Sequence, residues 1–173
     1  MSLQFGKLKI LLVHGNTAEA NALSAMLKGF GIARIDHAID VAAALRLLKQ
    51  GRLYDTMLCD FNLGSVNGLS LVKVIRRDNR LTNRYMPVIV LTGLTSSERL
   101  AAIRAAGVND VLTKPVGSHI LFSSLQAVLG HSRSFIETKT YFGPDRRQRQ
   151  HDAIRGRRRD DATADATAEE IWL

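Results

Sequence analysis

Five short apolar runs recur through the first 130 residues, and each is followed by a stretch whose apolar side chains return at helical spacing. The pattern predicts strands over Lys7–Val13, Ile32–Asp36, Thr56–Asp60, Pro87–Thr92 and Asp110–Thr113. It predicts helices from Ala18 to Lys28 behind a Thr17 cap, over Val41–Lys49 behind an Asp40 cap, over Leu69–Arg77 after Asn67-Gly68, from Ser96 or Ser97 to Ala105, and over Ser118–Leu129. Glycines at 29, 31, 51, 107 and 130 supply the stops. Strict alternation of strand and helix argues a parallel sheet with helices on both faces, because parallel neighbours must be joined by a crossover. Right-handed crossovers then leave an α/β, doubly wound five-stranded sheet. In chain order its elements are β1 to β5 and α1 to α5.

In an open sheet of this kind, ligands lie outside the carboxyl ends of the strands. Four strands close there on residues with chemistry: His14 and Gly15 after β1, Asp60 at the end of β3, Thr92 at the end of β4 and Lys114 after β5. A carboxylate at the end of an apolar run is costly to bury unless it is paired, metal-bound or accessible. Singly, each residue has a plainer use: Asp60 as a turn cap, Thr92 as a β-branched strand residue, Lys114 as an exposed turn lysine. Their convergence from distant parts of the chain is stronger evidence for a site than any one of them.

Composition narrows the class. Hydrophobic residues make up 46% of the chain, enough for a folded core. No run approaches the roughly 18 apolar residues of a membrane span, and the N-terminus lacks the apolar core of a secretory signal. Cys59 is the single cysteine, so a disulfide framework within one chain is excluded and a cytoplasmic location is expected. No nucleophile–base pair or cofactor-binding glycine loop appears, because Gly29-Phe30-Gly31 ends a helix instead of opening one. The chain is therefore not expected to be an enzyme.

Specific stretches go further. Tyr54-Asp55 through Asp60, Asn67-Gly68-Leu69, Met86 through Thr92, Ala105 through Asp110, and Leu112-Thr113-Lys114-Pro115 together resemble the receiver domain of two-component response regulators, over about Lys7 to Gly130. The resemblance implies a CheY-like, flavodoxin-like (βα)5 fold and a role in bacterial phosphorelay signalling. It makes Asp60 the phosphoacceptor for a histidine kinase or phosphotransfer protein. Thr92 and Lys114 become the hydroxyl and ammonium that meet the phosphoryl group, with Lys114 before a proline that is often cis. Mg2+ becomes the cofactor, held by the Asp60 carboxylate and the Asn62 backbone carbonyl. The chemistry is consistent, because a cation, a hydroxyl and an ammonium all stabilise charge developing on phosphoryl oxygens.

The chain departs from the pattern at two places. The two acidic residues that normally follow β1 are His14 and Gly15 here. Gly15 offers no side-chain ligand, and an imidazole nitrogen suits softer metals than Mg2+. The acidic pocket is thus degenerate, and weak or absent Mg2+ binding and phosphorylation are expected. His14 could hydrogen-bond Asp60, fill the vacated space as a protonated cation, or join a thin transition-metal site. The second departure is Val111, where the family usually carries an aromatic switch residue that reports to the α4-β5-α5 face. Valine has no ring to reorient.

Two units are expected, a receiver-like domain over residues 1–130 and an extension over 131–173. The extension lacks a full helical or strand period and is expected to be irregular. Within it Phe135, Ile136, Tyr141 and Phe142 are candidates for docking on the domain or on another chain, which makes a homodimer one outcome. Tyr141-Phe142-Gly143-Pro144-Asp145-Arg146-Arg147 resembles a motif in extensions of some bacterial single-domain receivers. Residues 144–159 hold seven arginines and two aspartates, and residues 160–173 hold five acidic residues and no basic one. The arginines invite nucleic-acid binding. A solvated polyampholyte is favoured, because no DNA-binding motif follows the receiver. Ala162 to Leu173 is a candidate terminal helix or partner peptide with Trp172 as its anchor.

Three functions stand: a stand-alone receiver-like protein that acts by protein–protein contact through the α4-β5-α5 face or the tail; a phosphorylation-competent regulator using Asp60; and a nucleic-acid binder working through the arginine block.

Overall fold

The computed structural model describes residues 4–93, 96–130, 134–138 and 140–145. The arginine block from Arg146, the terminal helix candidate and Trp172 lie outside the described residues. Five parallel strands form one sheet: β1 (Lys9–Val13), β2 (Arg34–Ala38), β3 (Thr56–Asp60), β4 (Val88–Thr92) and β5 (Asp110–Thr113), in the spatial order β2-β1-β3-β4-β5. Each strand is followed by a helix: α1 (Thr17–Gly29), α2 (Val41–Lys49), α3 (Gly68–Arg77), α4 (Ser97–Ala105) and α5 (Ser118–Gly130). The doubly wound architecture expected from the alternation is therefore present.

The strands read as apolar runs because both faces of a parallel sheet are covered. Side chains alternate across it. Ile10, Leu12, Leu58, Ile89 and Leu91 meet Leu23 and Leu27 of α1 and Leu121 and Leu125 of α5 on one face. Leu11, Val13, Met57, Cys59, Val88 and Val90 meet Leu48 of α2, Val72 and Ile75 of α3 and Ile103 of α4 on the other. Cys59 is wholly buried, and burial pushes its thiol pKa up, so it is an inert core residue.

Two boundaries differ from expectation. The cap of α1 is Asn16, whose side chain accepts the Glu19 N–H at 3.1 Å, and Thr17 is already helical. The second strand starts at Arg34 and runs to Ala38, two residues beyond the expected span. Its position follows from pairing Arg34 with Lys9, while Ile32 is buried under α1 before the strand begins. The extension, whose sequence lacks a full strand period, contains a hairpin of Phe135–Glu137 with Phe142–Pro144. No described helix is long and apolar enough to cross a membrane.

The strand order reverses between β1 and β3, so their carboxyl ends frame a crevice. The registers Val13–Cys59, Asp60–Leu91 and Thr92–Thr113 bring four strand ends to one level.

Candidate functional site

That level holds a cavity of about 830 Å3 lined by His14, Gly15, Glu19, Asp60, Phe61, Asn62, Thr92, Arg99 and Lys114 among others. The predicted residues His14, Asp60, Thr92 and Lys114 therefore converge. Asp60 is the last residue of β3 and only 6% exposed. Thr92 ends β4 and is buried, and its carbonyl accepts the Lys114 N–H at 2.9 Å. That bond extends the β4–β5 ladder by one rung and sends the Lys114 side chain across the crevice. The Lys114–Pro115 peptide is cis. Val111 is half-buried on β5, opposite Val90.

The Lys114 ammonium is the centre of the polar network. Its Nζ donates to Glu19 Oε2 at 2.8 Å and lies 3.1 Å from Asp60 Oδ2. Burial alone would lower its pKa, but the bonds to Glu19 and Asp60 outweigh that and hold it above the ordinary lysine value. The same bond from Lys114 holds the Glu19 carboxyl below its ordinary range. Glu19 was not anticipated as a site residue. It sits three residues after the Asn16 cap, where a glutamate usually reaches back to the cap. Here its carboxylate turns to the crevice instead.

His14 is fully buried. Its Nδ1 accepts the Asn16 backbone N–H at 3.1 Å. A backbone N–H can only donate, so Nδ1 carries no proton and Nε2 does. The Nε2–H faces Glu19 Oε2 at 3.3 Å and Asp60 Oδ2 at 3.5 Å. Its 3.1 Å approach to Lys114 Nζ is then a contact between two donors, tolerated because both carboxylates lie beside them. Burial is the main reason that the His14 pKa is lowered, the Lys114 ammonium adds to it, and the Asp60 carboxylate opposes it. Of the uses open to His14, geometry favours the neutral imidazole near Asp60.

This has a consequence for stability. A histidine with a depressed folded pKa leaves the unfolded state to take up the proton first. Stability is then unaffected above the ordinary value of 6.5 and falls as pH drops below it toward the lower folded value. The expected slope from this one group is at most about 1.4 kcal/mol per pH unit. Urea midpoints of wild type and His14→Gln compared at pH 7.5 and 5.5, about one unit either side of that value, test it. Wild type should lose more on acidification, and equal losses would remove His14 as the cause.

Oxygen-bearing residues that line the crevice include Asp60, Glu19, whose carboxylate is already bonded to Lys114, Asn62 and Thr92. Among the described residues no group of three or more His, Cys, Asp or Glu side chains is placed to hold a metal ion. Arg99, from the first turn of α4, stacks its guanidinium 4.7 Å from the centre of the Phe61 ring at the cavity wall. It was also missed, since its distance in sequence from Asp60 gives no local signal.

Comparison with known proteins agrees with this fold. The family model described as the response regulator receiver domain matches residues 10–126. The chemotaxis protein CheY of Pseudomonas aeruginosa is 26% identical over 121 residues, which cover 70% of this chain and 95% of that protein. The transcriptional regulatory protein ZraR of Salmonella typhimurium is 28% identical over 128 residues, but the chain spans only 28% of its length. Among solved structures, the receiver domain of the sensor histidine kinase PA1611 from Pseudomonas aeruginosa, with a magnesium ion coordinated in its active-site cleft, is 31% identical with a TM-score of 0.64, covering 72% of this chain and 98% of that one. Vibrio cholerae CheY4 is 27% identical with a TM-score of 0.63, covering 70% and 98%.

Proposed function

Because the chain belongs to the response regulator receiver domain family, a family of two-component signalling, we propose that it is an atypical receiver that signals by protein–protein contact with little or no Mg2+-dependent phosphorylation. The observation that carries this reading is the pair that follows β1: His14 is buried with its Nε2–H 3.5 Å from Asp60 Oδ2, Gly15 brings no side chain, and the Lys114 ammonium, bonded to Glu19, lies 3.1 Å from the same Asp60 oxygen. A resident cation already neutralises the carboxylate that would hold the metal. Mg2+ needs near-octahedral oxygen ligation. Gly15 supplies none, the His14 Nε2–H is a donor, and Glu19 is committed to Lys114. These residues do not fit Mg2+ well. Receiver residues 1–130, with Val111 in place of a switch aromatic, would then pass information through the α4-β5-α5 face or the extension, with no need of a rotating ring. The arginine block plays no part in this reading, and nucleic-acid binding through it is not proposed.

The retained trio of Asp60, Thr92 and Lys114 supports a second reading, a regulator that Asp60 still switches. One experiment separates the two. The protein is incubated with Mg2+ and a small acyl-phosphate donor, and its intact mass is measured. The first reading expects no added phosphoryl mass beyond that of Asp60→Asn. Ready, Mg2+-dependent addition that Asp60→Asn abolishes would establish the second. A histidine kinase or phosphotransfer protein as donor belongs to that second reading alone.

A further inference from the structure

The hairpin of Phe135–Glu137 with Phe142–Pro144 is seated, not merely attached. Two three-residue strands are marginal in water by themselves. Beyond the ladder between its strands, the hairpin is closed by bonds from Asp145 N–H to Ser134 O at 2.8 Å, from Thr138 N–H to Tyr141 O at 2.8 Å, from Tyr141 N–H to Thr138 Oγ1 at 3.0 Å, and from the Tyr141 hydroxyl to Pro144 O at 3.0 Å. It also contacts the receiver domain, at the corner between α3, the short 3-10 turn Thr82–Tyr85 and the turn joining α4 to β5.

Each element of that corner matches one feature of the hairpin. The Tyr85 ring meets Phe135 at 5.4 Å and Phe142 at 5.3 Å, both near edge-on, the arrangement that aromatic quadrupoles prefer. The Arg84 guanidinium lies 3.7 Å from the centre of the Phe142 ring and donates to Glu137 at 2.9 Å. The Arg84 side chain is only 15% exposed, so both contacts are partly shielded from water. Arg76, the largest fully buried side chain among the described residues, spends its donors on Gly107 O, Arg84 O and the Asn109 side chain, and the Phe135 ring lies 5.1 Å from its guanidinium. Burial lowers its pKa to about 10, so it stays a cation at neutral pH. Two glycines allow the backbones to touch. A Cβ on Gly143 would lie 2.8 Å from Gly107 Cα, and one on Gly107 would lie 2.7 Å from Phe142 O. Gly107 has φ +85°, a conformation that glycine adopts freely.

We propose that this corner, built from Arg76, Arg84, Tyr85 and Gly107, is a peptide-docking site whose ligand is the chain's own segment 134–145, held in cis. The chemistry that it recognises is an aromatic pair flanking a small residue, with one carboxylate. The first four residues of the motif around Tyr141 then each have a use. Tyr141 closes the hairpin, Phe142 covers Arg84, Gly143 permits contact with Gly107, and Pro144 ends the paired strand opposite Phe135. The site lies away from the Asp60 crevice and stands whatever the phosphorylation state of Asp60. Covalent attachment gives the resident segment an effective concentration on the order of millimolar, so it excludes the same sequence offered from outside.

The test uses full-length protein and a fluorescently labelled synthetic peptide of residues 134–145. In the variant with Phe135→Ala and Phe142→Ala, the resident segment loses both rings and should vacate the corner. The peptide should bind that variant at least tenfold more tightly than wild type, read by fluorescence anisotropy. Adding Arg84→Glu should abolish the binding. Glu137→Lys provides a second vacated form, should the double variant not fold by circular dichroism. Equal binding to wild type and to a folded vacated form would overturn the proposal, as would peptide binding that survives Arg84→Glu. Sedimentation of wild type as a dimer that Arg84→Glu dissociates would move the occupant to a second copy and overturn the cis assignment.

Discussion

Protein carrying Gly68→Ala is expected to lose about 3 kcal/mol of stability, read as a lowered urea midpoint. Gly68 is the first residue of α3, and alanine there would ordinarily gain up to about 1 kcal/mol in helix preference. Space decides otherwise. A Cβ would lie 2.7 Å from Cys59 Sγ and closer still to the Asp60 carbonyl oxygen. Both neighbours are core-bound: Cys59 is wholly buried, and the Asp60 carbonyl belongs to the end of a central strand. The helix must back away, and with it goes the bond from Gly68 N–H to Phe61 O at 2.8 Å, which ties the loop after Asp60 to α3. Gly29→Ala, with nothing within 4 Å, is the control and should leave the midpoint unchanged or raise it. If Gly68→Ala behaves like that control, the close approach of α3 to the crevice does not constrain the residue at position 68.

That close approach was only partly legible in the sequence. Asn67-Gly68 marked a helix start, and Asn67 does cap α3 by accepting the Ser70 N–H at 3.1 Å. Local chemistry of this kind travels well. Asp40 and Gly51 delimit α2, and the apolar run from Thr56 to Asp60 gives β3 without adjustment. Where a position depends on a distant partner, the local pattern fails. Edge strand β2 slips two residues because its register is set by β1 and by Asp36 bonding Tyr54 at 2.6 Å. The hairpin had no periodic signal, since its strands are too short to show one and its stability comes from Tyr85 and Arg84, some 50 residues upstream. Glu19 was hidden because a glutamate three residues after a cap has a sufficient local explanation. Nothing in the sequence says that Lys114, 95 residues away, is its partner.

Replacing His14 and Gly15 together by aspartate is expected to give a larger Mg2+ response than wild type shows. The site has room, for a Cβ on Gly15 would meet only the Ile39 carbonyl at an ordinary 3.5 Å, and His14 already points its ring at Asp60. Without metal, the two new carboxylates join Asp60 and Glu19 around the single Lys114 ammonium. Like charges in a partly buried crevice repel, at up to about 4 kcal/mol per pair 4 Å apart at an effective dielectric of 20. The double variant should therefore be less stable than wild type in chelator. Mg2+ binds the folded variant alone, so it should restore stability by about 2.7 kcal/mol at a hundredfold excess over Kd. Thermal unfolding with and without Mg2+ reads both effects, and incubation with an acyl-phosphate donor reads a third, the gain of phosphoryl mass at Asp60. A double variant that is destabilised but indifferent to Mg2+ would mean that Lys114, still held by Glu19, keeps the metal out. In that case Glu19→Gln added to the pair should release the lysine and bring the response back. A crevice that stays silent after both changes would show that its geometry, and not merely its charge, has left metal binding behind.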